Sequence, residues 1–352
     1  MKRLLVLLAA WLAASTCQAE VDRAALIGLG ASVMKIEVLR GQGGFSIGSG
    51  VVVAEEKVVT NCHVTRDAVR VNVMRGGARW LASAQLRDVA HDLCLLEVPG
   101  LKATVISFGQ ATRLKPGLAV MALGYSGGGE LQHSDGDVVA LHRYDGSDVI
   151  QSSNWFNSGA SGGGLFDADL RLVGILTFRL RGGEAHYFAA PAEWVRSLLA
   201  VTDRARFLEV TPDISRELSY WQLAPESQPK FLKAALLERT DRWPELESLA
   251  ADWVRADSSD PEPWYLMGVA LARMNRLPEA QRALECSLTL EPALQAAWAR
   301  LGPVVGQQGQ VERAHEIEAH LKRADASVHP AARVGAGAVV PCSLEQPAPK
   351  TP

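Results

Sequence analysis

The stretch NSGASGGGLFD at 157–167 places Ser161 inside a run of glycines. Two further segments supply a histidine and an aspartate: TNCHV at 60–64 and HDLCLLEV at 91–98. A serine hydroxyl is a weak nucleophile at neutral pH, so it needs a base and a group that orients the base. The pattern therefore predicts that Ser161 attacks a carbonyl carbon. His63 would be general base and then acid, and Asp92 would fix the imidazole tautomer.

The contexts of these residues resemble trypsin-like serine proteases of the HtrA type, and the His–Asp–Ser order is that of the chymotrypsin family. The resemblance covers about residues 28–200. The matching stretches are GSGVVV at 48–53, VVTNCHV at 58–64, HDLCLLEV at 91–98, LKPGLAVMALGYSGG at 114–128, the region 150–175 and HYFAAPAEWVRSLL at 186–199. The resemblance implies a serine endopeptidase with a chymotrypsin-like double β-barrel, which we expect over residues 25–205.

The same resemblance assigns the oxyanion hole to the backbone N–H groups of Gly159 and Ser161. Such donors stabilise the negative oxygen of a tetrahedral intermediate. Ala160 stands before the serine where digestive proteases have Asp, so activation by a new N-terminal amine is not expected. The loop is instead expected to be pliable, with activity depending on a partner or substrate.

Residues expected to bind substrate follow from the same comparison: Trp155, Phe156, Thr177, His186 and Tyr187. Trp155 lies six residues before the serine, where trypsin-like enzymes carry Asp. A pocket without this acid should reject Arg and Lys and favour small or aliphatic side chains. We expect Trp155 to be buried packing that narrows the site. Alternatively, His186 contacts an acidic side chain of the substrate.

The N-terminal residues 1–19 are typical of a secretory signal peptide, with a basic start, a short apolar run and small residues near Ala19. This predicts export to the periplasm, with lipidation at Cys17 as the alternative. No other stretch is apolar enough to span a membrane.

Export permits disulfides. If the triad forms, Cys62 and Cys94 must lie close together, because each is next to or near a triad residue. We expect a Cys62–Cys94 disulfide, with two small buried thiols as the alternative. Nothing in the sequence pairs Cys286 with Cys342.

Beyond residue 210 the composition changes and a 34-residue period appears. It relates Trp264 to Trp298, Gly268 to Gly302 and Ala280 to Ala314. Thirty-four residues is the tetratricopeptide period. We therefore expect an all-α helical-repeat domain of this type over 228–325, with a weaker first repeat at 228–256. A linker at 206–227 and a disordered Ala/Pro-rich tail at 326–352 complete the organisation.

Helical repeats form concave surfaces, so the repeats are expected to dock a protein partner or substrate. The alternatives are that they only buttress the barrels or mediate self-association. The chain has 36 basic and 39 acidic residues and no basic tract, which argues against nucleic acid. No metal or organic cofactor is expected. The main alternative function is a catalytically degenerate binding or scaffold protein that acts through its repeats.

Overall fold

The computed structural model describes residues 23–180, 187–201, 203–213, 215, 217–326 and 342. The expected signal peptide with Cys17, His186 and nearly all of the tail lie outside these residues. Within them, no helix is both long and apolar enough to cross a bilayer.

The first β-sheet has eight antiparallel strands in the order β14-β6-β7-β3-β2-β1-β4-β5. The strands are β1 (Val33–Arg40), β2 (Phe45–Ala54), β3 (Lys57–Thr60), β4 (Ala68–Arg75), β5 (Ala78–Leu81), β6 (Ala84–Asp88), β7 (Leu93–Glu97) and β14 (Leu208–Glu209). Of the double β-barrel that the sequence predicts, this sheet is the half-barrel in the described residues. Its edges are β5 and β14, and Leu81 and Leu208 on them are exposed.

The second sheet is a closed six-stranded antiparallel barrel in the order β10-β13-β12-β11-β8-β9. Its strands are β8 (Ala119–Gly124), β9 (Gln132–Tyr144), β10 (Ser147–Ser152), β11 (Gly164–Phe166), β12 (Leu172–Arg179) and β13 (Tyr187–Pro191). Seven of the eight residues of β12 are buried, as expected for a strand in a barrel core. Three short helices accompany the two sheets: α1 (Arg23–Gly30), α2 (Cys62–Thr65) and α3 (Ala192–Leu199).

A helical region follows the sheets and consists, in the described residues, of three antiparallel helix pairs. Its helices are α4 (Lys230–Arg239), α5 (Trp243–Ala256), α6 (Pro261–Arg273), α7 (Leu277–Leu290), α8 (Gln295–Gln307) and α9 (Val311–Ala326). The turn inside each pair has one residue with positive φ, and these residues are 34 positions apart: Asp241 at 52°, Asn275 at 60° and Gly309 at 79°. The 34-residue period seen in the sequence is therefore also a structural period, and it includes the weak first pair.

Two tryptophans repeat the same hydrogen bond at this period. The indole N–H of Trp264 donates to the carbonyl of Ser258 at 3.2 Å, and that of Trp298 donates to the carbonyl of Pro292 at 2.9 Å. Each indole thus binds the backbone six residues earlier, which fixes the loop that enters its helix.

The segment expected as a linker, 206–227, packs against the β domain. Part of it is strand β14, which pairs with β6. Tyr220 is 1% exposed, and its N–H donates to the carbonyl of Ala90. The helical region also contacts the closed barrel: Phe231 of α4 stacks on His142 of β9 at 4.5 Å, and Glu262 of α6 pairs with the same histidine at 2.7 Å.

Candidate active site

The structure brings His63 and Asp92 together at the junction of the two sheets. His63 lies in the one-turn helix α2, and Asp92 lies in the turn just before β7. The distance from His63 Nδ1 to Asp92 Oδ2 is 2.6 Å, and the backbone N–H of His63 donates to Asp92 Oδ1 at 2.9 Å. Because a carboxylate only accepts, the proton must be on Nδ1, which leaves Nε2 free to act as a base.

Asp92 is fully buried and has a φ of 60°. Residues other than glycine rarely adopt this left-handed backbone conformation, although Asp tolerates it better than most. The backbone around it is held by Asn61, whose side-chain amide donates to the Asp92 carbonyl at 2.9 Å, and by the N–H of Cys62, which donates to the same carbonyl at 3.3 Å. These bonds attach the aspartate turn to the histidine turn.

A Cys62–Cys94 disulfide reinforces this attachment, with 4.9 Å between the two Cα atoms. This is the pairing expected from the sequence. Both cysteines are buried, together with Val89. The covalent link therefore lies directly behind the His63–Asp92 pair.

Ser161 lies in the glycine-rich turn before β11, and its hydroxyl donates to the carbonyl of Thr177 at 3.4 Å. Within the described part of the chain, this hydroxyl makes no hydrogen bond to His63. Gly162, at a φ of +86°, permits the turn, since a Cβ at this position would collide with the carbonyl of Ser49. The structure thus forms the base–acid pair and places the serine hydroxyl in a different hydrogen bond.

The turn expected to form the oxyanion hole is held by Ser49. Its hydroxyl donates to the Gly159 carbonyl at 2.7 Å, and its N–H donates to the Ser161 carbonyl at 2.8 Å. The carbonyl of Ser158 accepts from the N–H of Gly127 at 2.7 Å. In a trans peptide the C=O and N–H point in opposite directions, so the Gly159 N–H faces away from Gly127.

The expected oxyanion donors are the N–H groups of Gly159 and Ser161. Among the described residues, neither has a protein acceptor, whereas the N–H of the intervening Ala160 donates to Asn157 at 3.0 Å. In the described part of the chain, the N–H groups of Gly159 and Ser161 therefore remain available to a bound acceptor.

Trp155 is 51% exposed, which corrects the expectation that it is buried packing. Its neighbours Asn154 and Phe156 are buried, and alternation along an extended segment then turns Trp155 outward. Phe156 packs on Tyr187 at 5.0 Å. Trp155 and Phe156 share with Ala160 the wall of a small cavity of about 20 Å³.

Thr177 was also expected to line the substrate site, but its side chain is buried and used within the barrel. Its hydroxyl donates to the carbonyl of Ile175 at 2.8 Å and accepts from the N–H of Ala190 at 3.3 Å. Its backbone carbonyl, which accepts from Ser161, is the group that reaches the site.

Sequence reasoning did not assign a role to Ser49, Asn61 or Trp221. Ser49 and Asn61 lie inside the motifs quoted above, so a search for further polar side chains within each motif would have found them. Trp221 is different, because it lies in the expected linker. Its indole N–H donates to Asp92 Oδ2 at 3.1 Å. No motif in the sequence points to this contact.

Residues 48–175 match the family model of the trypsin-like peptidase domain. Serine protease HTRA1B of Danio rerio is 30% identical over 198 residues, which cover 49% of this chain and 41% of that protein. A probable periplasmic serine endoprotease, DegP-like, of Chlamydia trachomatis is 30% identical over 155 residues, or 41% of this chain and 31% of that protein.

Among solved structures, the active form of the Rv3671c protease from M. tuberculosis aligns with a TM-score of 0.50 and 25% identity, covering 56% of this chain and 92% of that one. The chain spans less than half the length of the curated relatives described above. Residues 48–175 are therefore similar to the trypsin-like peptidase domain, and the two relatives that share this similarity are named as serine proteases.

Proposed function

We propose that this protein is an exported serine endopeptidase that cuts protein substrates through a triad of His63, Asp92 and Ser161. The observation that carries the proposal is the 2.6 Å contact between His63 Nδ1 and Asp92 Oδ2 in a trypsin-like domain whose glycine turn contains Ser161. In a neutral imidazole held by this contact, Nε2 is the nitrogen that can accept the serine proton as a general base.

In the proposed reaction, Ser161 Oγ attacks the scissile carbonyl carbon while its proton passes to His63 Nε2. The N–H groups of Gly159 and Ser161 stabilise the negative oxygen of the tetrahedral intermediate. His63 then protonates the leaving amine, and water hydrolyses the acyl-enzyme by the same route in reverse.

The step from the observed structure to the reactive one is a rotation of the Ser161 side chain. Its hydroxyl must leave the Thr177 carbonyl, a long bond of 3.4 Å, and turn to His63. Catalytic hydrogen bonds are often long or misaligned before substrate binds. Substrate, or a partner that moves the turn, would supply this change.

The proposed specificity is cleavage after small or aliphatic residues. The supporting observations are the absence of an acid at Trp155 and the apolar pair of Phe156 and Tyr187 beside it. Contact of His186 with an acidic substrate side chain stays an alternative. The DegP-like relative carries "periplasmic" in its name, which supports the proposal that this protein acts in the periplasm.

We further propose that the helical region is of the tetratricopeptide type and docks protein partners or substrates. The 34-residue recurrence of the positive-φ turns and of the tryptophan–carbonyl bonds supports this type. A stacked array of three pairs presents a concave surface on which a peptide could lie.

Labelling with a fluorophosphonate probe, which reacts with activated serines, tests the peptidase proposal. Wild type should be labelled, and Ser161→Ala and His63→Ala should lose the label. The matched control is Ser197→Ala, which changes an exposed serine on α3 whose hydroxyl bonds only within its own helix. It should be labelled like wild type.

A folded wild type without label would favour the alternative, a degenerate binding protein. One observation favours that alternative, namely the hydrogen bond of Ser161 to Thr177 rather than to His63. Under this alternative the helical repeats, not the triad, carry the function.

A further inference from the structure

The segment from Ser219 to Leu223 lies behind the proposed triad. It joins the β domain to the helical region, and its first residues are deeply buried. Tyr220 contacts Tyr144, Trp194 and Phe178 with ring centroids 5.0 to 6.0 Å apart. Its backbone N–H donates to the carbonyl of Ala90, two residues before Asp92. The segment is thus fixed to the turn that carries the aspartate.

Trp221 contacts both members of the base–acid pair. Its indole N–H donates to Asp92 Oδ2 at 3.1 Å. Its ring meets the His63 ring edge-on, with centroids 5.6 Å apart and planes at 86°. Phe178 also supports the indole, because the two rings stack with centroids 4.9 Å apart and planes at only 8° to each other. The indole is therefore clamped with its N–H directed at the carboxylate.

The hydrogen bonds of the Asp92 carboxylate show why this contact matters. In the described residues, the carboxylate accepts three bonds: two from His63, through its backbone N–H and Nδ1, and one from Trp221. Within the described ranges, Trp221 is thus its only side-chain donor apart from the base itself. A fully buried carboxylate is costly unless donors satisfy it, and its orientation follows the donors that hold it.

We propose that Trp221 is a positioning residue that holds Asp92 in the orientation from which it orients His63. The proposal rests on the proposed peptidase function. Because Trp221 belongs to the segment that leads into α4, the triad of this chain is completed from outside the two sheets. A movement of the helical region that displaced this segment would therefore change the orientation of His63.

Trp221→Phe tests the proposal, because phenylalanine keeps an aromatic ring beside Phe178 but has no N–H; the ring that is lost with the N–H is lost equally in the control below. The full-length variant should have a kcat about 10-fold lower on a peptide substrate and an unchanged KM, since a bond to a charged group is lost without loss of substrate contacts. The matched control is Trp298→Phe, which removes an indole bond to a carbonyl in the helical region and should leave kcat unchanged.

A second readout does not depend on activity. The proton between His63 Nδ1 and Asp92 should give a low-field ¹H resonance, which can be recorded in a Ser161→Ala background. Trp221→Phe should shift or broaden this resonance, and Trp298→Phe should not. A purely structural role would lower the melting temperature and leave the resonance in place.

The outcomes separate the two proposals. If wild type neither cleaves peptides nor reacts with a fluorophosphonate, the peptidase proposal fails, and the resonance still decides the role of Trp221. If wild type is active but Trp221→Phe keeps wild-type kcat and the same resonance, the positioning role is overturned.

Discussion

At the scale of single residues, the motif residues and their supports differ in how far they could be foreseen. The contact between His63 and Asp92 was predictable, because each residue lies in a short motif that is typical of such a pair. Trp221 was not, because it lies 129 positions from Asp92 and nothing in its local sequence marks it. The buried hydrogen bonds of the Thr177 hydroxyl were not predictable either, since sequence cannot tell which backbone groups this hydroxyl will satisfy.

Ser49 offers a test of the oxyanion turn. Its hydroxyl donates to the carbonyl of Gly159 and accepts from the N–H of Tyr125, so Ser49→Ala leaves both buried groups without this partner. We expect a loss of about 1–3 kcal/mol in the free energy of unfolding and a fall in fluorophosphonate labelling rate of about 10-fold.

The control for this change is Ser46→Ala on the same strand, which should match wild type in both measurements. An unchanged labelling rate in Ser49→Ala, measured on protein shown to be folded by circular dichroism, would mean that Ser49 does not hold the donors in place.

At the scale of elements, the repeat was readable because the same residue types recur every 34 positions, although close helix packing requires glycine at only one of the two glycine positions. A Cβ on Gly268 would lie 2.6 Å from Leu284 Cγ, whereas one on Gly302, at the equivalent place 34 residues later, would lie 3.4 Å from Ile317. The shape of the first sheet was less readable. Its strands were expected from apolar runs. Whether the sheet closes into a barrel depends on hydrogen bonding between its two edge strands, and the apolar pattern does not predict that pairing.

The two glycines make a matched pair of substitutions. Gly268→Ala should lower the free energy of unfolding of the helical region by about 1–3 kcal/mol, because the methyl group overpacks the α6–α7 interface. Gly302→Ala should be neutral or stabilising by up to about 1 kcal/mol, because alanine favours the helix and its methyl fits. Urea unfolding followed by circular dichroism measures both. Equal effects at the two positions would contradict the packing described.

The Cys62–Cys94 disulfide is the covalent element of the site. It joins residues separated by 32 positions, and the chain-entropy account gives a stabilisation of about 3–4 kcal/mol for such a loop. Reduction should therefore lower the melting temperature of wild type. The double variant Cys62→Ala/Cys94→Ala should start lower and should not respond to reductant, and a response as large as that of wild type would point to a different cysteine pair.

At the scale of the whole molecule, sequence located the change from strands to helices near residue 210 but not the contact between the two regions. That contact includes a buried histidine, His142, paired with Glu262 and bonded to Gln151 at 3.0 Å. Burial acts to lower the pKa of His142, but the Glu262 carboxylate outweighs it and raises this pKa above its ordinary value. Burial also raises the pKa of Asp260, at the start of α6, to about 6.

Both shifts make stability fall as pH rises. A group whose pKa is higher in the folded than in the unfolded protein stabilises the fold fully below its unfolded pKa and loses this contribution as pH passes the folded value. The stabilising contribution of Asp260 is lost between about pH 4 and 6, and that of His142 is lost as pH rises above about 6.5. We therefore expect a lower melting temperature at pH 8.5 than at pH 6.

His142→Gln should reduce this pH dependence, and His133→Gln, at an exposed position, should preserve it. His91 will keep part of the dependence in either variant, because Asp88 and Asp145 raise its pKa against the effect of burial. Identical melting curves against pH for His142→Gln and wild type would contradict the interface described.

The central claim is that His63, Asp92 and Ser161 form a working triad. The most direct measurement is the mass of the intact protein after reaction with a fluorophosphonate, followed by peptide mapping of the modified residue. The account predicts one adduct per chain, located on Ser161 and absent from His63→Ala. An adduct elsewhere, or one that persists without His63, would contradict it.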